Sequence, residues 1–599
     1  MTRNLVLLLF IVVPSFILGQ NDWTTYYEQS GGLRTPGYGE TMEFCRRLAD
    51  ASPMITMGSF GTSAQGRDLV YLVADLDGLN DPALIHARGR SIVLIQACIH
   101  PGESEGKDAG LMLFRDILVS EGSSGKVSLL KFFDHLSVVF IPIFNADGHE
   151  RFGPYNRINQ NGPEEMGWRV TANNLNLNRD FLKADTPEMR AWLKLFNNWL
   201  PEFFIDTHTT DGADYQYALT YLIETFGNMD EGLTAWSNEH FIPRMESDME
   251  NAGFPVFPYV DFRNWHDPRS GLVSEVAPPM LSQGYTALRN RPGLLIETHM
   301  LKPYKVRVEA TYACLFSSLG ILSDESERLR KLELEADEYV SGPAFLKKPF
   351  TLQFQVIEND SIMVPFRGFE YTLEKSDISG GSWFRYTDQP LVMQLPWFCK
   401  NQPVFSVQLP LAYVIPVEWQ DVIRRVEAHG IKVTRLTRPQ QFEVSTYRFR
   451  NAKWQVNPFE GRHPMTHIEY EEITEQRRFP AGSAIVEVSQ QAARIIAHLL
   501  EPKGDGSLVY WGCFDATFEQ KEYAENYVLE QMASGMLADD PSLKQEFEAK
   551  KASDTVFAKS PQQILYWFYA KSPYFDQRRN IYPVGRIMDL STLESLSRE

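Results

Sequence analysis

Two nearly unbroken apolar runs, residues 91–98 (SIVLIQAC) and 136–144 (LSVVFIPIF), constrain the fold of this chain most strongly. A strand with apolar side chains on both faces has to be covered on both faces, which is the environment of a strand inside a largely parallel sheet. Helical stretches alternate with such strands. Residues 40–51, 107–118 and 189–200 read as helices, and 69–74, 202–206 and 293–297 as further strands. The alternation predicts an α/β fold with a mixed, mostly parallel sheet flanked by helices.

At 599 residues the chain is too long for one compact domain. The pattern turns helical from about 307 to 340, with the charged run DESERLRKLELEADE read as a solvated helix face. Beyond it the character changes. Alternation in TLQFQV (351–356) and the turn at Gly380-Gly381 predict strands to about residue 409. Strand, helix and strand follow over 411–436, a strand and helix over 483–500, and then a helical, aromatic tail. The expected division is a leader over 1–20, a catalytic α/β unit over 21–325 and a β-containing accessory region over 326–599.

The leader is read from Arg3 followed by an apolar stretch over 5–18 that ends at Gly19. It is short for a bilayer span and is interrupted by Pro14, so a cleaved signal peptide and an exported protein without stable membrane insertion are expected. A net charge of −19 argues against a nucleic-acid partner. Five scattered cysteines, Cys45, Cys98, Cys314, Cys399 and Cys513, make neither a disulfide scaffold nor a thiolate zinc cage, and isolated thiols are expected.

Chemistry concentrates where the apolar strands end. His100-Pro-Gly-Glu103 directly follows the first run, and in an open α/β sheet ligands gather outside the carboxyl ends of the strands. A His and a Glu three apart can point at one metal ion, and zinc accepts both donor types while keeping a position open for water. A third ligand is needed. His208, which follows the strand residues Ile205-Asp206-Thr207, is the natural candidate. Asn145-Ala-Asp-Gly148 reads as an Asx turn. In Leu177-Asn178-Arg179 an amide stands beside a guanidinium, a combination suited to holding a carboxylate. Glu297 ends another buried strand, LLIE, and is either a charge turned to solvent or a general base. His149-Glu150 lacks the second His of HExxH, and His463 and His467 lack a third ligand. Residues 156–167 (NRINQNGPEEMG) read as an irregular loop, either bordering the cleft or lying on the surface.

In order, the segments HPGE, NADG, WR, NLNRDF, IDTH and LLIET over residues 100–298 resemble the zinc carboxypeptidase family, the carboxypeptidase A-like metallopeptidases. The resemblance implies that His100, Glu103 and His208 hold one zinc ion per chain. It makes Arg169 the group that polarises the scissile carbonyl, Asn178 and Arg179 the holders of the substrate's terminal carboxylate, and Glu297 the catalytic base and acid. Peptide or protein C-termini would be the substrates. Tyr285, upstream of Glu297, is either the family's substrate-capping tyrosine or an ordinary packing residue, because its spacing to Glu297 is short for the match. Two departures stand out. The acidic residue that orients the first ligand His is Asn176 here, and Asp180 follows Arg179 where the family commonly has Asn. A zinc amidase or cell-wall peptide hydrolase on the same site, and a catalytically silent peptide- or glycan-binding protein, are the competing readings.

Overall fold

The computed structural model describes residues 22–120, 129–264 and 266–597, so the expected leader lies outside the described residues. The apolar runs become inner strands of an eight-stranded sheet. Its members are β1 (Ile55–Thr62), β2 (Asp68–Ala74), β3 (Ser91–Gln96), β4 (Leu136–Ile141), β5 (Phe203–Thr210), β6 (Leu219–Ile223) and β7 (Val256–Pro258). After a two-residue strand outside the sheet, β8 (Leu272–Val273), comes its last member, β9 (Gly293–His299). The spatial order is β1-β2-β4-β3-β5-β9-β6-β7. The central strands β4, β3, β5 and β9 run parallel, β1 and β2 add an antiparallel edge, and β6 lies antiparallel to β9.

Period-two alternation sends the side chains of β3 to two cores. Val93 and Ile95 face one layer, Ile92 and Leu94 the other. Helices Glu105–Ser120 and Tyr304–Ser341 cover the first face, and helices Pro187–Trp199 and Ser282–Leu288 the second. The first of these lies very close to the sheet because it carries glycines at the contact. A Cβ on Gly106 would stand 1.9 Å from Thr207 Oγ1, and one on Gly110 2.2 Å from Phe140 Cζ. Helix Tyr304–Ser341 runs through residue 325 without a break.

The C-terminal region is β-rich and then mixed, as its alternation implied. Strands β10 (Phe350–Val356) and β13 (Asn401–Val407) pair, while β11 (Ile362–Lys375) and β12 (Ser382–Phe398) form a long hairpin joined to β8. A second, six-stranded sheet contains β14 (Ala412–Ile415), β15 (Thr434–Arg435), β16 (Gln440–Trp454), β17 (Met465–Phe479), β18 (Ala484–Glu487) and β19 (Gly585–Ile587). Four helices between Asn526 and Lys571 precede β19. This region is not strung out on a linker. Tyr413, Ile423, Val426 and Leu499 share one apolar cluster with Trp192, Phe196 and Tyr285 from behind the first sheet. All five cysteines are free thiols, three of them buried. Among the described residues no helix is long and apolar enough to cross a membrane.

Candidate metal centre and substrate cleft

His100 and Glu103 leave the loop after β3, and His208 comes from β5, its neighbour in the sheet. Their exposures are only 2–3%. His208 Nδ1 lies 3.2 Å from His100 Nδ1 and 3.0 Å from Glu103 Oε2, and His100 Nδ1 lies 3.2 Å from the same carboxylate oxygen. Donors at about 2.0–2.1 Å from one tetrahedral ion stand roughly 3.3 Å apart. The triangle therefore fits the first shell of a single zinc ion, and two imidazoles with one carboxylate are a catalytic donor set. The far ring nitrogens are both engaged. His100 Nε2 donates to Asn176 Oδ1 at 2.9 Å, and His208 Nε2 to Asp206 Oδ2 at 3.0 Å. Such contacts fix ring orientation and direct Nδ1 to the centre. The sequence departure at Asn176 thus keeps the hydrogen bond and replaces a charged acceptor by a neutral one.

The centre opens into a cleft of about 620 Å³, lined by Arg169, Asn178, Arg179 and Glu297 among others. Glu297 sits on β9 in register with His208 on β5, so the strand pairing itself brings the carboxylate to the candidate metal ligands. Burial pushes the Glu297 carboxyl up to about 8, against the pull of His208 and Arg169. Arg169 Nη1 reaches Glu103 Oε1 at 3.2 Å from a side chain that is 43% exposed. Arg179 donates to the Asn178 carbonyl at 2.6 Å and forms no ion pair among the described residues. Asn178 Oδ1 accepts from the Ser282 amide at 3.2 Å, which leaves the amide NH2 as an unengaged donor. Asn145 Oδ1 accepts from the Gly148 amide, forming the expected turn.

Tyr285 is not in the cleft, and its assignment as the capping residue is corrected. It is fully buried behind the sheet against Phe181, Trp192 and Phe196, and its hydroxyl bonds the ring of His429 at 2.9 Å. An aromatic residue on a short helix packed beneath a sheet is a core residue. Tyr259, just after β7, is the tyrosine that lines the cleft, and its hydroxyl is pushed up by burial and by Glu297. Nothing in the aromatic stretch FPVFPYVDF singles it out. Arg157 was also missed. It lies in the irregular segment after NADG and binds Glu103 Oε1 at 2.8 Å. The sequence left this loop either at the cleft or on the surface, and nothing in it singled out the arginine. His299 turns away from the cleft to Asp214 and to the backbone of Tyr215 and Leu301.

A buried His/Glu/His cluster at the carboxyl ends of parallel strands, with a carboxylate and arginines around it, defines the class: a metallopeptidase site on an α/β fold. Residues 41–231 match the family model described as zinc carboxypeptidase, so that part of the chain is similar to that family. The matched segment holds the three ligand candidates, Arg169, Asn178 and Arg179, whereas Tyr259 and Glu297 lie beyond it. The chain is 24% identical over 498 residues to carboxypeptidase 2 of Trichophyton rubrum, covering 81% of this chain and 85% of that protein. It is 25% identical over 517 residues to carboxypeptidase 2 of Trichophyton equinum, with the same coverage. Among solved structures it is similar to carboxypeptidase A from Helicoverpa armigera, with 14% identity, a TM-score of 0.37, and coverage of 49% of this chain and 75% of that one. A metallo-carboxypeptidase from Burkholderia cenocepacia gives 16% identity, a TM-score of 0.36, and coverage of 48% and 69%.

Proposed function

We propose that this protein is an exported carboxypeptidase that removes C-terminal residues from peptides, with His100 Nδ1, Glu103 Oε2 and His208 Nδ1 holding one zinc ion. The observation that carries this reading is a cation without an anion. Arg179 is a largely buried guanidinium with no carboxylate partner among the described residues, beside the free amide of Asn178 and in the same cleft as Glu297. A peptide's terminal carboxylate supplies the missing anion, and holding it there places the last peptide bond beside Glu297 and Arg169. Bound zinc would supply Lewis acidity and lower the pKa of water towards neutrality. Glu297 takes one proton of the attacking water and hands it to the departing amine, while Arg169 faces the charge that grows on the carbonyl oxygen. Tyr259 is the cleft hydroxyl that closes over the terminal residue. The apolar leader at residues 5–18 supports export. We take the catalytic unit to close with helix Tyr304–Ser341, and the rest of the chain to be accessory.

Glu297→Gln is expected to lower hydrolysis of a blocked dipeptide about a hundred- to ten-thousand-fold while zinc stays bound. Amidating the peptide's C-terminus is expected to remove most of the wild-type activity. Equal cleavage of free and amidated peptides would overturn the carboxypeptidase reading in favour of an amidase.

A further inference from the structure

The accessory region reaches the back of the metal centre. In the segment Asn457-Pro-Phe-Glu-Gly-Arg462, between β16 and β17, Phe459 and Arg462 exchange backbone hydrogen bonds at 2.8 and 3.0 Å around Glu460 and Gly461. Both central residues are left-handed, with φ of 51° and 72°. This is the two-residue hairpin turn that favours Asn-Gly, because a left-handed backbone crowds Cβ against the following carbonyl oxygen at a cost of about 1–2 kcal/mol, which Gly avoids and a short amide offsets by local hydrogen bonding. Glutamate is therefore a poor residue for the turn, and what its side chain does explains its presence. Glu460 Oε2 accepts the backbone N–H of Asn176 at 2.8 Å.

Asn176 is the residue on which both halves of the site depend. Its Oδ1 accepts His100 Nε2 at 2.9 Å and the Asn178 amide at 2.9 Å. One side chain thus orients a metal-ligand imidazole and shapes the turn that presents Asn178 and Arg179. Nothing in the turn itself supplies a charge to that hub. Asp180, the nearest acid in sequence, is occupied by Lys183 and by the amides of Asp185 and Thr186. The turn carrying Glu460 is held independently. Arg462 forks both oxygens of Asp185 at 2.6 and 2.8 Å, and Phe459 stacks on Trp511.

We infer that the accessory region completes the active site, with Glu460 as a positioning residue that fixes Asn176 and through it the orientation of His100 and the Asn178-Arg179 clamp. The contact joins residues 284 positions apart and gives the C-terminal half a part in the chemistry of the first half. The inference rests on the metallopeptidase reading above.

The test uses the full chain and two variants, Glu460→Asn and Glu460→Gln. Asn suits the left-handed turn better but is shorter and uncharged, so the thermal midpoint of the apo protein is expected to hold or rise. Zinc affinity, measured on the apo protein by chelator competition, is expected to fall about tenfold, at the low end of what contacts behind a ligand contribute. The KM for a free-carboxylate peptide is expected to rise in parallel. Gln keeps the reach and an accepting oxygen, so it is expected to fall between Asn and wild type. A Glu460→Asn protein with wild-type zinc affinity and KM would overturn the inference. A wild-type protein that neither binds zinc nor hydrolyses peptides would instead overturn the reading beneath it.

Discussion

Glu103 divides its two oxygens between different tasks. Oε2 faces the two imidazoles and accepts the Thr209 amide, while Oε1 takes Arg157 at 2.8 Å and Arg169 at 3.2 Å. The two arginines are unequal. Arg157 is 16% exposed, and a Cβ on Gly102 would come within 2.6 Å of its Cγ, so a residue without a side chain lets it lie across the ligand loop. Arg169 is the more exposed and longer-bonded of the two, as the role proposed for it at the substrate carbonyl requires. Arg157→Ala leaves Glu103 Oε1 to Arg169 alone. We expect kcat/KM to fall about tenfold, which is about 1.4 kcal/mol of transition-state stabilisation, with partial recovery in Arg157→Lys. Steady-state kinetics on a blocked dipeptide check this, and an unchanged kcat/KM for the alanine variant removes Arg157 from the site. What made His100, Glu103, His208 and Glu297 legible in the sequence was their place at the ends of apolar strands. Arg157 and Tyr259 sit in segments with no periodicity, and Glu460 is brought in by tertiary folding that one sequence does not encode locally.

At the scale of elements, the glycines of helix Glu105–Ser120 set how near it lies to β5, and so where the loop carrying Glu103 stands relative to His208. Ala is the better helix former by about 1 kcal/mol. At Gly106 that gain meets a β-branched side chain of an inner strand at 1.9 Å, and Thr207 is itself tied to the Gln96 carbonyl at 3.0 Å. Overpacking costs about 1–3 kcal/mol and more where neither partner yields. Gly106→Ala is thus expected to lower the thermal midpoint. Gly535→Ala, in helix Asn526–Asp539 with nothing within 4 Å of the new Cβ, is expected to raise it. Calorimetry on both variants decides, and stabilisation by both would mean that the helix does not rest on the sheet as described. The same elements explain how far the fold was readable. The fully buried β3 and β4 announce themselves by unbroken hydrophobicity, and helix Pro187–Trp199 by its 3.6-residue apolar stripe. β1, β6 and β7 went unrecognised. The pattern of β1 (ITMGSFGT) is blurred by two glycines and by half-exposed positions, and β7 is three residues long. The strand ends at Thr210 and His299 also run past the expected limits, because pairing between β5 and β9 carries polar residues into the sheet at the site itself.

For the whole molecule, the question is what keeps the C-terminal region seated on the first sheet and its helices. The shared apolar cluster behind the sheet supplies area, and Asp185 supplies register. Its carboxylate meets Arg425 at 2.7 Å and Arg462 at 2.6 and 2.8 Å, both from the accessory side, with Lys183 3.4 Å away. Burial works against this charge, yet Arg462, Lys183 and Arg425 outweigh it and hold the Asp185 carboxyl well below the usual carboxylate range. A depressed carboxyl pKa stabilises the folded protein fully above the unfolded value, near 3.9, and that stability is lost as the pH falls from there towards the folded value. Asp185→Asn removes the charge at every pH. Breaking a buried pair from one side costs about 3–5 kcal/mol, and less is expected here because Arg425 keeps Asp421 and Lys183 keeps Asp180. A loss of about 2 kcal/mol at pH 7 is therefore expected, measured as the shift in denaturant midpoint. The gap between wild type and variant should stay constant down to about pH 5 and narrow steadily below about pH 4. A gap that does not change with pH would mean that the substitution acts through packing alone. Since Arg462 belongs to the turn that carries Glu460, Asp185→Asn should also weaken zinc binding at neutral pH, although Asp185 touches neither the ligands nor the cleft.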